Sequence, residues 1–112
     1  MLPRALRMRS AGDFRSTTRS GRRFSQPLCV VYVRVEPGAT DRRIGIVAAK
    51  TVGNSVARHR VARRVRAVVQ QEAESLPAGS RVVVRALPGS ADSPETADQL
   101  RRALTQAVQA LA

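Results

Sequence analysis

At 112 residues the chain is long enough for one domain with its own core and too short for two. Lys and Arg number 20 against 8 Asp and Glu, a formal charge of +12, with Lys50 the sole lysine; the excess opposes folding by self-repulsion and suits a polyanionic partner. No apolar stretch approaches the ~20 residues of a membrane span, and the N-terminus lacks a signal peptide's apolar segment, so a cytoplasmic location and no membrane partner are expected.

From Met1 to Arg9 the chain carries Arg4, Arg7 and Arg9 and no acid, which predicts a flexible basic arm ordered only by a partner. Ser10 or Asp13 can cap a short helix that runs to about Arg19 and stops at Gly21. Leu28 to Val35 and Arg43 to Ala49 are rich in β-branched residues and flank the turn-like Glu36-Pro37-Gly38, so they predict an antiparallel hairpin. Alternation puts Val30, Tyr32 and Arg34 on one face of the first strand and Cys29, Val31, Val33 and Val35, the core candidates, on the other. Cys29 is the only cysteine, which excludes an intrachain disulfide; in this apolar run it reads as a small buried hydrophobe of a reducing compartment.

Between Asn54 and Ser75 there is no Gly or Pro, which predicts one long helix capped by Asn54 or Ser55 and ended by Pro77 and Gly79. Arg81 to Leu87 is a further strand and Pro88-Gly89-Ser90 a turn. Ser93 and Pro94 read as the cap and first position of a last helix on which Leu100, Leu104, Val108 and Leu111 recur at helical spacing. The order is helix, two strands, helix, strand, helix, within a single domain spanning 1–112.

The segment richest in chemistry runs from Lys50 through Gly53, Asn54, Arg58, His59, Arg60, Arg63 and Arg64 to Arg66. At about 100° per residue, Ala57, Val61, Val65, Val68 and Val69 share one arc of the helix and His59, Arg60, Arg63, Arg64 and Arg66 the opposite side, with Arg58 near the apolar edge. Nothing within the helix neutralises that row, and like charges at i, i+3 and i, i+4 repel. A solvated surface usually alternates sign; a uniform arginine face fits RNA or DNA, because guanidinium forks onto phosphate and stacks on bases.

The pattern Lys-x-x-Gly-Asn-x-x-x-Arg-x-Arg-x-x-Arg-x-x-Arg from Lys50 resembles the signature of the bacterial ribonuclease P protein family. His59 stands where the family has Asn between two arginines. Arg7-Met8-Arg9 ahead of Asp13-Phe14, Tyr32 on a strand, and Ile44-Gly45 also resemble that family, whereas Thr18 replaces a second aromatic. The resemblance implies an α/β (α+β) two-layer sandwich with a mixed four-stranded sheet, one strand more than the patterns locate, in the order α-β-β-(β)-α-β-α with a left-handed β-α-β crossover. It implies that a partner, the ribonuclease P RNA, hydrolyses precursor tRNA with Mg2+ while the protein assists. Lys50, Asn54, Arg58, Arg60, Arg63 and Arg66, with His59 and Arg64 beside them, correspond to contacts with the catalytic RNA. Phe14 and Tyr32, with Arg34 on the same strand face, correspond to a cleft for the single-stranded 5′ leader, and Arg4, Arg7 and Arg9 to further basic contacts. Ordinary core packing is the competing explanation for both aromatics.

Independent catalysis fits poorly: His59 is the only histidine, and no carboxylate lies within a helical turn to orient it. No catalytic residue is therefore expected in the protein, and one Cys and one His cannot build a four-ligand metal site. A structural RNA-binding protein of ribosomal or assembly type fits the composition equally well, and only the Gly53-Asn54 and Arg58-x-Arg60 spacing favours ribonuclease P. DNA binding is disfavoured by the lack of helix-turn-helix spacing.

Overall fold

The computed structural model describes residues 2–111. Its elements are α1 (Ala11–Ser20), β1 (Arg22–Ser25), β2 (Cys29–Val35), β3 (Arg43–Ala48), α2 (Ser55–Glu72), β4 (Ser80–Ala86) and α3 (Thr96–Leu111). They form one four-stranded mixed sheet in the order β1-β2-β4-β3. The β1–β2 and β2–β4 pairs are antiparallel and β3–β4 is parallel, joined through α2.

The expected hairpin between β2 and β3 does not form. β4 lies between them, pairing with β2 from Cys29↔Ala86 to Val35↔Ser80 and with β3 from Arg43↔Arg81 to Ala48↔Ala86. Six of its seven residues are buried, and the sheet centre is where such a strand finds cover on both faces. The Glu36-Pro37-Gly38 turn serves this arrangement, since Glu36 N donates to Gly79 O (2.9 Å) at the entry to β4. The strand that patterning missed, β1, has a single apolar residue, Phe24, in a short exposed edge.

One face of the sheet carries the core. Val31, Val33, Val82, Val84 and Ile44 meet Val61, Val65, Val68 and Val69 of α2 and Leu100 and Leu104 of α3. Each such side chain contributes about 1.5–3 kcal/mol through burial. Cys29 belongs to this core, and burial pushes its thiol pKa up to about 11, so at neutral pH it stays protonated and inert. Val35, at the strand's end, is instead exposed.

α1 crosses part of the opposite face. Ser10 caps it, its hydroxyl accepting from Gly12 N and Asp13 N, and Gly21 N closes it on Thr17 O. The flexible arm expected of residues 1–9 is, over the described part, a docked segment. Leu2 and Met8 are buried, Arg4–Leu6 form a 3₁₀ turn, and Met8 N donates to Ile44 O (3.0 Å) on the outer edge of β3. Two apolar anchors outweigh the charge of the segment, and its pairing covers an otherwise open strand edge. α3 begins at Thr96, later than Pro94: Ser93 Oγ accepts from Glu95 N (3.1 Å) in a tight turn, and Thr96 Oγ1 ties the helix start to Ser90 O (2.7 Å).

Candidate nucleic-acid interface

The basic helix α2 starts where Gly53, at φ 148°, turns the chain out of a 3₁₀ turn (Lys50–Val52), a backbone conformation side chains resist. Asn54 caps it, its Oδ1 accepting from Ala57 N (2.9 Å), so this part of the motif has a structural role. Of the arginines beyond, two are engaged from outside the helix. Arg60 Nη2 pairs with Asp92 (2.8 Å) while its Nε donates to Ala91 O (3.2 Å). Arg64 Nη1 donates to Ala91 O and Ser93 O at 3.4 and 3.2 Å. Both therefore brace the loop leading into α3, from some thirty residues away in sequence.

Arg58 and Arg66 behave differently. Both line an open cavity of about 370 Å³ with Ala48, Ser55, His59 and Ala62. The Nε of each is buried without a hydrogen-bond partner. An unmade hydrogen bond at a buried charged donor costs more than the ~1–3 kcal/mol of a neutral group; of the two guanidinium groups, that of Arg58 also donates through Nη2 to Ser55 Oγ (3.4 Å). His59 and Arg63 are exposed beside them, and Lys50 is exposed at the helix approach.

The second surface is the sheet face under α1. Register places three rows across it: Arg34, Arg81 and Arg43; then Arg23, Tyr32, Val83 and Gly45; then Ser25, Val30, Arg85 and Val47. Phe14 is half-buried with its ring in the notch left by Gly45, where any β-carbon would collide with it. The ring also borders a cavity with Arg7, Met8, Ile46 and Arg66. Tyr32 is partly exposed beyond the ring. Thr18, in place of an aromatic, turns its hydroxyl back onto Phe14 O (3.0 Å).

Arg34 is not free in this cleft. It pairs with Glu36 (2.6 Å) and Asp13 (3.5 Å) and donates to Thr17 Oγ1 (3.3 Å), anchoring α1 to β2. In the same row Asp41 receives Arg43 (2.8 Å) and Arg81 (3.1 Å), which hold its carboxyl below the usual carboxylate range. Of the arm's cations, Arg9 donates to Arg4 O (3.3 Å) and all three side chains are exposed. Gly45→Ala is expected to displace Phe14 and destabilise the protein by about 1–3 kcal/mol, the usual cost of overpacking, read as a drop in melting temperature.

A basic helix with two unpartnered guanidinium Nε atoms on one surface, and a partly exposed tyrosine on the sheet beside a half-buried phenylalanine of α1 on another, define a small α+β RNA-binding protein. The family model described as Ribonuclease P matches residues 2–111, and the chain belongs to that family. It is similar to the ribonuclease P protein component of Streptomyces bikiniensis, at 44% identity over 99% of this chain and 95% of that one. It is likewise similar to that of Kocuria rhizophila, at 43% identity over 96% of each. Among solved structures, a Staphylococcus aureus RNase P protein mutant with defective mRNA degradation activity superposes with a TM-score of 0.84 at 24% identity, covering 92% of this chain and 88% of that one. The Thermotoga maritima RNase P protein does so with a TM-score of 0.74 at 23% identity, covering 89% and 96%. At such identities these structures speak for the fold. The curated relatives carry the function, and they are ribonuclease P components, not ribosomal or assembly proteins.

Proposed function

We propose that this protein binds the ribonuclease P RNA through α2 and the single-stranded 5′ leader of precursor tRNA through the sheet face beside α1. The buried, unpartnered Nε atoms of Arg58 and Arg66 carry the first half, because RNA phosphates supply the acceptors they lack. Arg63, His59 and Lys50 extend that surface, whereas Arg60 and Arg64 contribute positive charge while holding the 91–93 loop. Tyr32 and the exposed edge of Phe14 supply stacking surfaces, which suit a leader of any sequence because every base has a face.

Hydrolysis belongs, in this proposal, to the RNA with its Mg2+. The carboxylates gathered at one end of the sheet, Asp13, Glu36 and Asp41, are each engaged by arginine, and among the described residues no three His, Cys, Asp or Glu gather as a metal site. The protein's part is to bind and position two RNA molecules and screen their mutual repulsion. No helix among the described residues is long and apolar enough to cross a membrane, and a cytoplasmic place follows from the substrate.

The test is reconstitution. Added to a bacterial ribonuclease P RNA at magnesium too low for the RNA alone, the protein is expected to restore cleavage of precursor tRNA at the mature 5′ end. Rigorously RNA-free protein is expected to leave the precursor intact. Failure to rescue, or cleavage by the protein alone, would overturn the proposal.

A further inference from the structure

The sheet face beside α1 is neutralised at one end and positively charged toward the other. At the end where β4 begins, the row Arg34, Arg81 and Arg43 is matched by Asp13, Glu36 and Asp41 at 2.6–3.5 Å, so its charge is spent inside the protein. Arg23, in the middle row, and Arg85, at the other end, have no acidic partner among the described residues. Arg23 Nε donates only to Ser25 Oγ (3.2 Å), and Arg85 makes no hydrogen bond or ion pair there.

Arg85 stands out within its own strand. It is the single exposed residue of β4, the central strand, all of whose other residues are buried. A charge in mid-sheet normally finds a partner or is kept to an edge. Its cross-strand neighbours are Val30 and Val47, both apolar, so nothing in the sheet explains it. Arg23 lies directly opposite Tyr32, and Arg85 is Tyr32's diagonal neighbour on the same face, within reach of long side chains.

We propose that Arg85, with Arg23, grips the phosphates of a single RNA strand whose bases stack on Tyr32. The inference rests on the reading of Tyr32 as a leader contact and adds to it the groups that hold the backbone. Three inter-strand gaps make the path from β3 to β1 about 14 Å wide. At ~3.4 Å per stacked nucleotide that accommodates roughly four nucleotides, fewer if extended, so the grip acts on a leader of that length and not on a stub. Phosphate contact is indifferent to base identity.

The experiment measures binding of precursor tRNA to the reconstituted holoenzyme, with a leader spanning the sheet and with a leader of a single nucleotide, across a salt series. Arg85→Ala is expected to weaken long-leader binding roughly tenfold whatever the leader sequence, and to flatten the log–log salt slope by ~0.7. With the single-nucleotide leader the defect should vanish, and Arg85→Lys should recover most of the loss. Arg85→Gln keeps the stem that covers Val30 and Val47, so with unchanged melting it separates charge from packing. Equal weakening with both leaders, no weakening, or a loss confined to one leader base would overturn the phosphate grip. If the wild-type holoenzyme itself gains nothing from the longer leader, the reading of Tyr32 falls first; if it gains and Arg85→Ala gains equally, only the grip falls.

Discussion

Replacing Arg58 and Arg66 together by alanine is expected to weaken association with ribonuclease P RNA by about a hundredfold to ten-thousandfold, while the free protein melts no lower than wild type. Hydrogen bonds to charged groups contribute about 1.5–3 kcal/mol each, and tenfold in affinity is 1.4 kcal/mol. Two such bonds give that range. In the free protein the Nε atoms are buried and unpaired, so removing them relieves a cost. Arg64→Ala is the contrast. Its guanidinium holds Ala91 O and Ser93 O, and its loss should lower the melting temperature by several degrees with a smaller effect on RNA. Filter binding or native gels against the RNA, run beside thermal melts, separate the two classes. If Arg64→Ala weakens RNA binding more than the double variant, the unpartnered donors are not the principal contact.

That division within one helix was invisible in the sequence, which set Arg58 near the apolar edge but placed Arg60, Arg63, Arg64 and Arg66 together on one outward face. Periodicity locates a side chain around its own helix and says nothing of what lies opposite, and the carbonyls that engage Arg60 and Arg64 come from residues 91–93. Local signals were legible: Ser10 and Asn54 cap α1 and α2, and the valines of α2 face the sheet. Strand adjacency was not, because β2 and β3, close in sequence, are separated by β4, whose burial decides the order. β1 carried no alternation to find. The docking of the N-terminal segment turns on Leu2 and Met8, two apolar residues masked by the surrounding arginines. Arg85 did leave a trace as the charge directly after Val82-Val83-Val84, but only the register sets it beside Tyr32.

The two aromatics of the proposed leader surface should part company under mutation. Tyr32→Ala is expected to raise the long-leader precursor concentration needed for half-maximal cleavage by about fivefold to a hundredfold, since stacking on one base is worth ~1–3 kcal/mol. Its ring is partly exposed on a sheet whose core lies on the other face, so the melting temperature should shift little. Phe14→Ala empties the notch over Gly45 and removes the ring that seats α1 on β3; about 3 kcal/mol or more of stability should go with it. For a domain of this size that is a fall of roughly 12 °C or more. Its binding defect should therefore persist in part with a single-nucleotide leader, because α1 itself is loosened, whereas that of Tyr32→Ala should disappear. Tyr32→Phe keeps the stacking face and should restore long-leader binding, which a role for the hydroxyl would not allow. Were Tyr32→Ala to melt as early as Phe14→Ala, or to bind both leaders equally poorly, the tyrosine would be a packing residue and the leader would lie elsewhere on the protein.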